Sequence, residues 1–216
     1  MSSFPQHLLE GYRTFTSQRL PTEQSRYREL SEIGQAPEVM VIGCCDSRVS
    51  PEAIFDAGPG ELFVVRNIAN LVPVYQPDGG AHGVSAALEY AVSVLRVKHI
   101  VVLGHAQCGG IRAFIDNIEP LSPGDFIGRW MSMFIKPGER VEQRDHETMQ
   151  DFTIRIEKAA VFRSLENLLT FPFVRAAVER GDLSLHGAYF GVAEGSLFVL
   201  DPAAKEFHSV REKVSE

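Results

Sequence analysis

The sequence has few cysteines, no concentrated positive charge and no long apolar run, and each absence excludes a class of protein. Three cysteines among 216 residues are too few for a disulfide framework, so reduced thiols available for metal binding or catalysis are favoured. The net charge is −7 and the basic residues are scattered, which argues against a surface for nucleic acid or anionic membranes. We therefore expect a small-molecule substrate, with neither nucleic acid nor membrane as a partner.

The N-terminal residues also lack the pattern of an export signal. Met-Ser-Ser-Phe-Pro-Gln-His contains no basic region followed by an apolar one, and no apolar run approaches the roughly 18 residues that span a bilayer. The sequence thus predicts a cytoplasmic protein. Its length and its apolar content of 44% suit a single domain over residues 1–216.

Strand patterns alternate with helical ones along the chain. Continuous apolar runs, typical of strands buried on both faces of a parallel sheet, occupy residues 39–42, 62–65 and 100–103. Helical spacing follows over residues 81–95 and 151–180, and a hairpin is predicted from 185–192 and 197–200. The predicted fold class is α/β: a mainly parallel central sheet with an antiparallel edge hairpin and helices on both faces.

An amphipathic helical arm precedes this α/β region. Leu8, Leu9, Tyr12 and Phe15 recur at helical spacing with polar residues between them. Such a helix needs a surface to cover its apolar face. We therefore expect residues 1–34 to form an arm that packs on a partner subunit.

Soft metal ligands follow two of the predicted strands. Cys44 lies in Gly-Cys-Cys-Asp-Ser-Arg, and His105 and Cys108 lie in Gly-His-Ala-Gln-Cys-Gly-Gly. Reactive groups of open α/β sheets gather at the carboxyl ends of the strands. Two thiolates and one imidazole make a three-ligand zinc site with an open fourth position, and His105 and Cys108, one helical turn apart, can chelate one ion.

Strand alternation selects among the residues of the first cluster. If residues 44–48 stay extended, Cys44, Asp46 and Arg48 point to one side, whereas Cys45 points to the other and is left to packing. Taken singly, a cysteine closing a strand is most often a core residue, and a histidine after a strand is usually a surface residue. Their coincidence at the ends of equivalent strands favours a metal site.

Three motifs, in this order and at these separations, resemble those of the β-class carbonic anhydrases. They are Cys-x-Asp-Ser-Arg at 44–48, Arg-Asn-x-Ala-Asn at 66–70 and Gly-His-x-x-Cys-Gly-Gly at 104–110. The resemblance extends from about residue 35 through the terminal hairpin. It implies reversible hydration of carbon dioxide to bicarbonate and a proton by a lyase, and a homodimer as the minimum unit with sites at the subunit boundary. Whether dimers pair into tetramers is left open.

The resemblance also implies roles for individual residues. It places one Zn²⁺ per chain on Cys44, His105 and Cys108. A zinc-bound hydroxide would then be oriented by the catalytic dyad of Asp46 and Arg48.

Members of this family differ in whether the aspartate can close onto the metal. Those that close commonly carry a bicarbonate pocket made by a Trp, an Arg and a Tyr, and the corresponding residues here are Val41, Arg66 and Phe190. The residues that resemble the substrate pocket of the open, plant-like branch are Gln35, Phe63, Tyr90 and Gly109. We therefore predict a water-ligated zinc without the bicarbonate switch.

Three other functions are compatible with parts of this pattern. Relatives with the same ligands hydrolyse carbon disulfide or carbonyl sulfide, and pocket access decides between these substrates. A structural zinc or a metal-dependent binding module would have no need for Asp46 and Arg48. Thiol chemistry is disfavoured because Cys44 and Cys45 are adjacent and no Arg lies six positions after either. Candidate proton-exit groups are His7, His82, His99, His146, His186 and His208.

Overall fold

A six-stranded sheet forms the centre of the structure, a computed structural model that describes residues 4–135 and 141–210. Its strands are β1 Val39–Cys44, β2 Leu62–Asn67, β3 His99–His105, β4 Ser184–Gly191, β5 Ser196–Asp201 and β6 Glu206–Ser209. They lie in the order β2-β1-β3-β4-β5-β6. The first four are parallel, and β5 pairs antiparallel with both β4 and β6. The predicted sheet with its antiparallel edge is confirmed, although the sequence pattern did not predict β6.

The helices connect and cover these strands. They are α1 Gln6–Thr14, α2 Leu20–Ile33, α3 Pro51–Ile54, α4 Gly83–Glu89, α5 Gly109–Ile115, α6 Phe126–Ser132, α7 Met149–Leu168 and α8 Pro172–Glu179. Short π-helical segments join α1 to α2 and extend α4. The helical stretch 151–180 is interrupted between α7 and α8, because Pro172 fits only the first turn of a new helix.

The two faces of the sheet are covered to different extents. Met40, Ile42 and Ile100 are fully buried and pack in one cluster with side chains of α4, α7 and α8. The opposite face, with Val41 and Leu103 at its centre, packs against Ile54 of α3. Helices therefore contact both faces, but on the second face this helix is a single turn, and four strand residues there are only half-buried: Val39, Leu62, Val64 and Val101.

The predicted N-terminal arm is present as α1, α2 and the segment between them. None of its described residues is buried. The arm meets the rest of the chain near residues 58–60, where the Leu30 side chain lies over Gly60. Several of its apolar side chains stay exposed, including Tyr12 at 64% and Ile33 at 74%. Residues 1–3 of the predicted arm lie outside the described residues, and packing on a partner stays a prediction.

Among residues 4–135 and 141–210, no helix is both long and apolar enough to cross a bilayer.

Candidate metal centre and active site

The three predicted metal ligands meet at one edge of the sheet. β1 and β3 pair in parallel with Gly43 opposite Leu103, so their last residues, Cys44 and His105, lie at the same end of the sheet. Cys108 directly precedes α5. The Sγ atoms of Cys44 and Cys108 are 3.9 Å apart, and all three ligand atoms lie within 4.8 Å of one another among buried side chains.

The conformation after Cys44 differs from the predicted extended segment. The chain turns instead, because the backbone N–H of Val49 donates to the carbonyl of Asp46 at 3.1 Å, and the N–H of Arg48 donates to Asp46 Oδ1 at 3.0 Å. Such side-chain-closed turns are typical of Asp. Strand alternation therefore ends at Cys44, and the expectation that Cys45 packs in the core is wrong, since Cys45 is exposed.

The spacing of His105 and Cys108 also has a different origin from the predicted helical turn. These residues flank a tight turn in which Gln107 adopts the left-handed conformation with φ of 57°. The helix begins only at Gly109. It is this reversal of the chain that brings the Cys108 thiol back toward Cys44.

The geometry of the cluster fits a zinc ion. Two sulfurs bound tetrahedrally at about 2.3 Å would lie about 3.8 Å apart, close to the separation seen here. His105 is 1% exposed, and its Nδ1 lies 2.9 Å from the carbonyl oxygen of Ala106, to which it can donate. Its Nε2 has no hydrogen-bond partner. A buried nitrogen without a partner is unfavourable, and a metal ion would satisfy it.

Backbone amides favour the thiolate forms of both cysteines. The hydrogen bond between the two thiols lowers the pKa of Cys44 and raises the pKa of Cys108. The backbone amides of Asp46 and Ala69 further lower the pKa of Cys44, and those of Gly110 and Ile111 act in the same direction on Cys108. Because metals bind thiolates, these amide donors prepare the site for a cation.

Asp46 and Arg48 form the predicted pair beside these ligands. Arg48 Nε donates to Oδ1 at 2.9 Å and Nη2 to Oδ2 at 2.7 Å, so both carboxylate oxygens are engaged. These hydrogen bonds hold the pKa of Asp46 well below its usual range. Arg48 in turn donates to the carbonyl of Gln107 at 3.0 Å and to its side-chain Oε1 at 3.4 Å.

The Arg-Asn-x-Ala-Asn motif supports the site from the neighbouring strand. Arg66 donates to the carbonyl oxygens of Cys44 at 2.8 Å and Asp46 at 2.6 Å, which holds the turn after β1. The Asn67 side chain makes two hydrogen bonds of 2.9 Å with the backbone of Leu71. The loop between them approaches α5 so closely that a Cβ on Gly110 would lie 2.5 Å from Ile68 Cγ2.

The four predicted substrate-pocket residues do not all lie near the metal ligands of their own chain. Phe63 is paired with Met40, four residues before Asn67, which is opposite Cys44. At about 3.3 Å per residue this places Phe63 about 13 Å from the metal end of the strand.

The other three pocket residues divide between the two ends of the strands. The Tyr90 ring stacks near that of Phe63, with centroids 5.9 Å apart, and Gln35 is exposed before β1 begins. Only Gly109, directly after Cys108, lies beside the metal ligands, with open space where a Cβ would be. Phe63, Tyr90 and Gln35 are therefore separated from the metal ligands of their own chain.

Sequence reasoning missed a buried carboxylate behind the ligand loop. Glu157 of α7 is 2% exposed; its Oε1 accepts from the Cys108 backbone N–H at 2.9 Å, and its Oε2 accepts from the Tyr189 hydroxyl at 2.7 Å. Burial raises the pKa of both side chains. The spacing of Glu157 in the sequence could have indicated its burial. It lies four and eleven residues before Val161 and Leu168, which places it on the apolar face of the helix.

The sequence of this chain is similar to that of a known protein family over most of its length. A family model described as carbonic anhydrase matches residues 39–197. Beta carbonic anhydrase 3 of Arabidopsis thaliana is 36% identical over 195 residues, which cover 88% of this chain and 74% of that protein. The chloroplastic beta carbonic anhydrase 5 of the same plant is 39% identical over 174 residues, covering 78% of this chain and 55% of its own.

Solved structures of β-carbonic anhydrases are also similar to this chain. The β-carbonic anhydrase CcaA superposes with a TM-score of 0.85 at 28% identity, covering 97% of this chain and 93% of that one. A Coccomyxa β-carbonic anhydrase in complex with acetazolamide gives 0.76 at 32% identity, covering 91% and 86%. Tetrameric enzymes from Sordaria macrospora give 0.77 at 29%, covering 90% and 95%. Motifs, fold and relatives together assign this chain to the β-carbonic anhydrases, zinc-dependent lyases that hydrate carbon dioxide reversibly.

Proposed function

We propose that this protein hydrates carbon dioxide reversibly at the Cys44, His105 and Cys108 cluster, with Asp46 and Arg48 as its catalytic dyad. The observation that carries the proposal is a buried set of zinc ligands with an ionised, arginine-bound carboxylate two residues from one of them. Zinc held by these ligands supplies a water of lowered pKa as the source of the nucleophile.

Asp46 has the properties needed to orient the attacking hydroxide. Because its pKa is depressed, its carboxylate is ionised at neutral pH and can only accept hydrogen bonds. A hydroxide that donates to this carboxylate has a lone pair left to point at the carbon of carbon dioxide. The role of Asp46 is therefore to set the direction of attack.

Arg48 has the complementary role of holding this carboxylate away from the metal. Turning Asp46 toward the ligands would break two charge-assisted hydrogen bonds, which are about twice as strong as neutral ones. The hydrogen bonds from Arg48 to Gln107 hold the guanidinium in place. This geometry supports an open site in which the fourth metal position stays with water.

The region that corresponds to the bicarbonate pocket of other members is apolar here. Val41 is fully buried and Phe190 packs in the same cluster. Arg66, the third residue, uses its guanidinium on the carbonyl oxygens of Cys44 and Asp46. Neither a cavity-lining Tyr hydroxyl nor an indole N–H is present at these positions to bind bicarbonate, which supports activity without that switch.

The pocket residues support a site completed by a second subunit. Phe63, Tyr90 and Gln35 lie far from the metal ligands of their own chain, and β2 is an edge strand. We therefore propose a homodimer in which these residues of one chain line the site of the other, where Gln35 donates an amide N–H to the substrate and Phe63 contacts it. A cytoplasmic location is part of the same proposal.

The experiment that tests the function is stopped-flow carbon dioxide hydration on protein with measured zinc content, at about pH 7 and about pH 9. Activity at both pH values is expected from an open site. Activity only at the higher pH would contradict the open site. No activity with one zinc per chain would contradict the function, and hydrolysis of carbon disulfide or carbonyl sulfide would then name the substrate.

A further inference from the structure

The loop that carries Cys108 is anchored from the side opposite the metal by a buried carboxylate. Glu157 Oε1 accepts a hydrogen bond from the backbone N–H of Cys108 at 2.9 Å. Its second oxygen accepts from the Tyr189 hydroxyl at 2.7 Å. Helix α7 and strand β4 thus hold the ligand loop through one side chain, although neither of them supplies a metal ligand.

The conformation of the loop explains why a carboxylate fits there. Gln107 has a φ of 57°, which is uncommon for a residue with a side chain and persists only where the surroundings hold it. Successive amides of a turn with one left-handed residue point into a shared concavity that binds anions. Glu157 accepts the amide of Cys108, the residue directly after this left-handed position, and so stabilises the turn that directs the Cys108 thiol toward the metal position.

The same turn also contacts the catalytic pair. The Gln107 carbonyl accepts from Arg48 Nη2 at 3.0 Å, and its side-chain oxygen accepts from Nη1 at 3.4 Å. Arg48 is the residue that engages both oxygens of Asp46. A displacement of the Gln107 turn would therefore move a metal ligand and the arginine of the dyad together.

We propose that Glu157, oriented by Tyr189, is a positioning residue of this active site. It fixes Cys108 as a metal ligand and, through Gln107, fixes Arg48 against Asp46. It does not touch the substrate. The inference rests on the metal centre and on the dyad described under the proposed function, and it differs from a general role in stability, which would leave the metal site of the folded protein unchanged.

The test measures the metal site directly, without substrate. Cobalt replaces zinc to report on ligand geometry through its thiolate-to-metal charge-transfer band, and release of zinc to a chelator is followed in parallel. Glu157→Gln keeps the shape but removes the charge, and we expect about tenfold faster zinc release with a changed band, since supporting contacts to ligands have effects of this size. Tyr189→Phe should produce a smaller change of the same kind.

The matched control is Leu168→Ala on the same helix. Leu168 is fully buried but lies eleven residues from Glu157, about 16 Å along a helix that rises about 1.5 Å per residue. This variant should lower the melting temperature and leave both metal readouts as in the parent. The proposal is overturned if Leu168→Ala reproduces the changes, or if Glu157→Gln behaves as the parent.

If Glu157→Gln does not fold, Tyr189→Phe decides the question by the same two readouts, and parental values would overturn the proposal. Because neither readout involves turnover, an inactive parent protein would contradict the proposed function while leaving this test intact.

Discussion

Adjacent residues in the first motif have opposite environments. Cys44 is the last residue of β1 and is buried with the other ligands, whereas Cys45 is exposed and contributes its backbone N–H to the carbonyl of Asn67 at 2.8 Å. Asp46 then closes the turn that ends the strand. Whether a residue of this segment can bind a metal therefore depends on its individual position, not on the number of polar residues in the motif.

A pair of substitutions tests this difference. Asp46→Asn should retain zinc, because the ligands are untouched, but reduce kcat by about 100-fold, since the charge that Arg48 holds and that is proposed to orient the nucleophile is lost. The exposed Cys45→Ser should change neither zinc content nor kcat. Zinc analysis and stopped-flow hydration measure both, and equal losses in the two variants would contradict the assigned roles.

At the scale of elements, packing between β3 and α7 leaves no room at one glycine. A Cβ built on Gly104 would lie 2.6 Å from Val161 Cγ2, directly before the ligand His105. The small residue lets the helix approach the strand whose end carries a metal ligand. Glycine here is explained by this close approach rather than by a special backbone angle.

Substituting Gly104 should therefore destabilise the fold, and a second substitution that makes Val161 smaller should relieve part of this loss. We expect Gly104→Ala to lower the free energy of unfolding by about 1–3 kcal/mol through overpacking. Adding Val161→Ala should make the double variant more stable than the sum of the single effects predicts. Denaturant unfolding measures the cycle. Gly83→Ala, with no atom near its Cβ position, is the control and should show no such loss.

An ion pair connects the start of α7 to the segment before it. Arg155 engages both oxygens of Glu147 at 2.7 Å and, through its hydrogen bonds, lowers the pKa of Glu147 to about 2 from 4.5. A carboxylate with a depressed pKa stabilises the fold above its unfolded pKa and loses that contribution as the pH falls toward the folded value.

This pair makes a pH-dependent contribution to stability. Glu147→Gln should be less stable than the parent at neutral pH, and the difference should narrow as the pH falls from about 4.5 toward about 2. Unfolding by urea at a series of pH values measures it. A difference that stays constant over this range would contradict the assignment to the ion pair.

At the scale of the whole molecule, the exposed apolar side chains of the arm support the proposed association of subunits. The arm exposes Leu8, Tyr12 and Ile33, and the sheet face opposite α4, α7 and α8 carries half-buried strand residues. Exposed apolar side chains grouped on one element are typical of contacts with other proteins. The location of Phe63 and Tyr90, away from their own metal ligands, supports the same interpretation.

Light scattering should therefore give at least the mass of a dimer. Tyr12→Glu, which places a charge among the apolar residues of the arm, should shift the protein toward monomer and reduce kcat together, because the site would lose the partner's residues. Gln18→Glu adds the same charge at an exposed polar position and should change neither. A monomer mass independent of concentration in the parent would contradict the dimer.

The sequence alone determined the clustering of Cys44, His105 and Cys108 and the parallel sheet with its antiparallel edge. These depend on local patterns: apolar runs specify buried strands, and motifs at strand ends bring ligands to one edge because parallel neighbours end together. Tertiary structure decided the rest. The exposure of Cys45, the Gln107 turn and the separation of Phe63 from its own metal ligands could not be predicted from spacing.

Glu157 shows the physical reason most directly. Within α7 it is one acidic residue on an apolar face, and nothing in its own segment distinguishes a functional carboxylate from a charged residue that happens to fall there. Its partners, Cys108 and Tyr189, are 49 and 32 residues away along the chain. Hydrogen bonds between such distant residues exist only after the strands and helices have packed, so only the folded chain could reveal them.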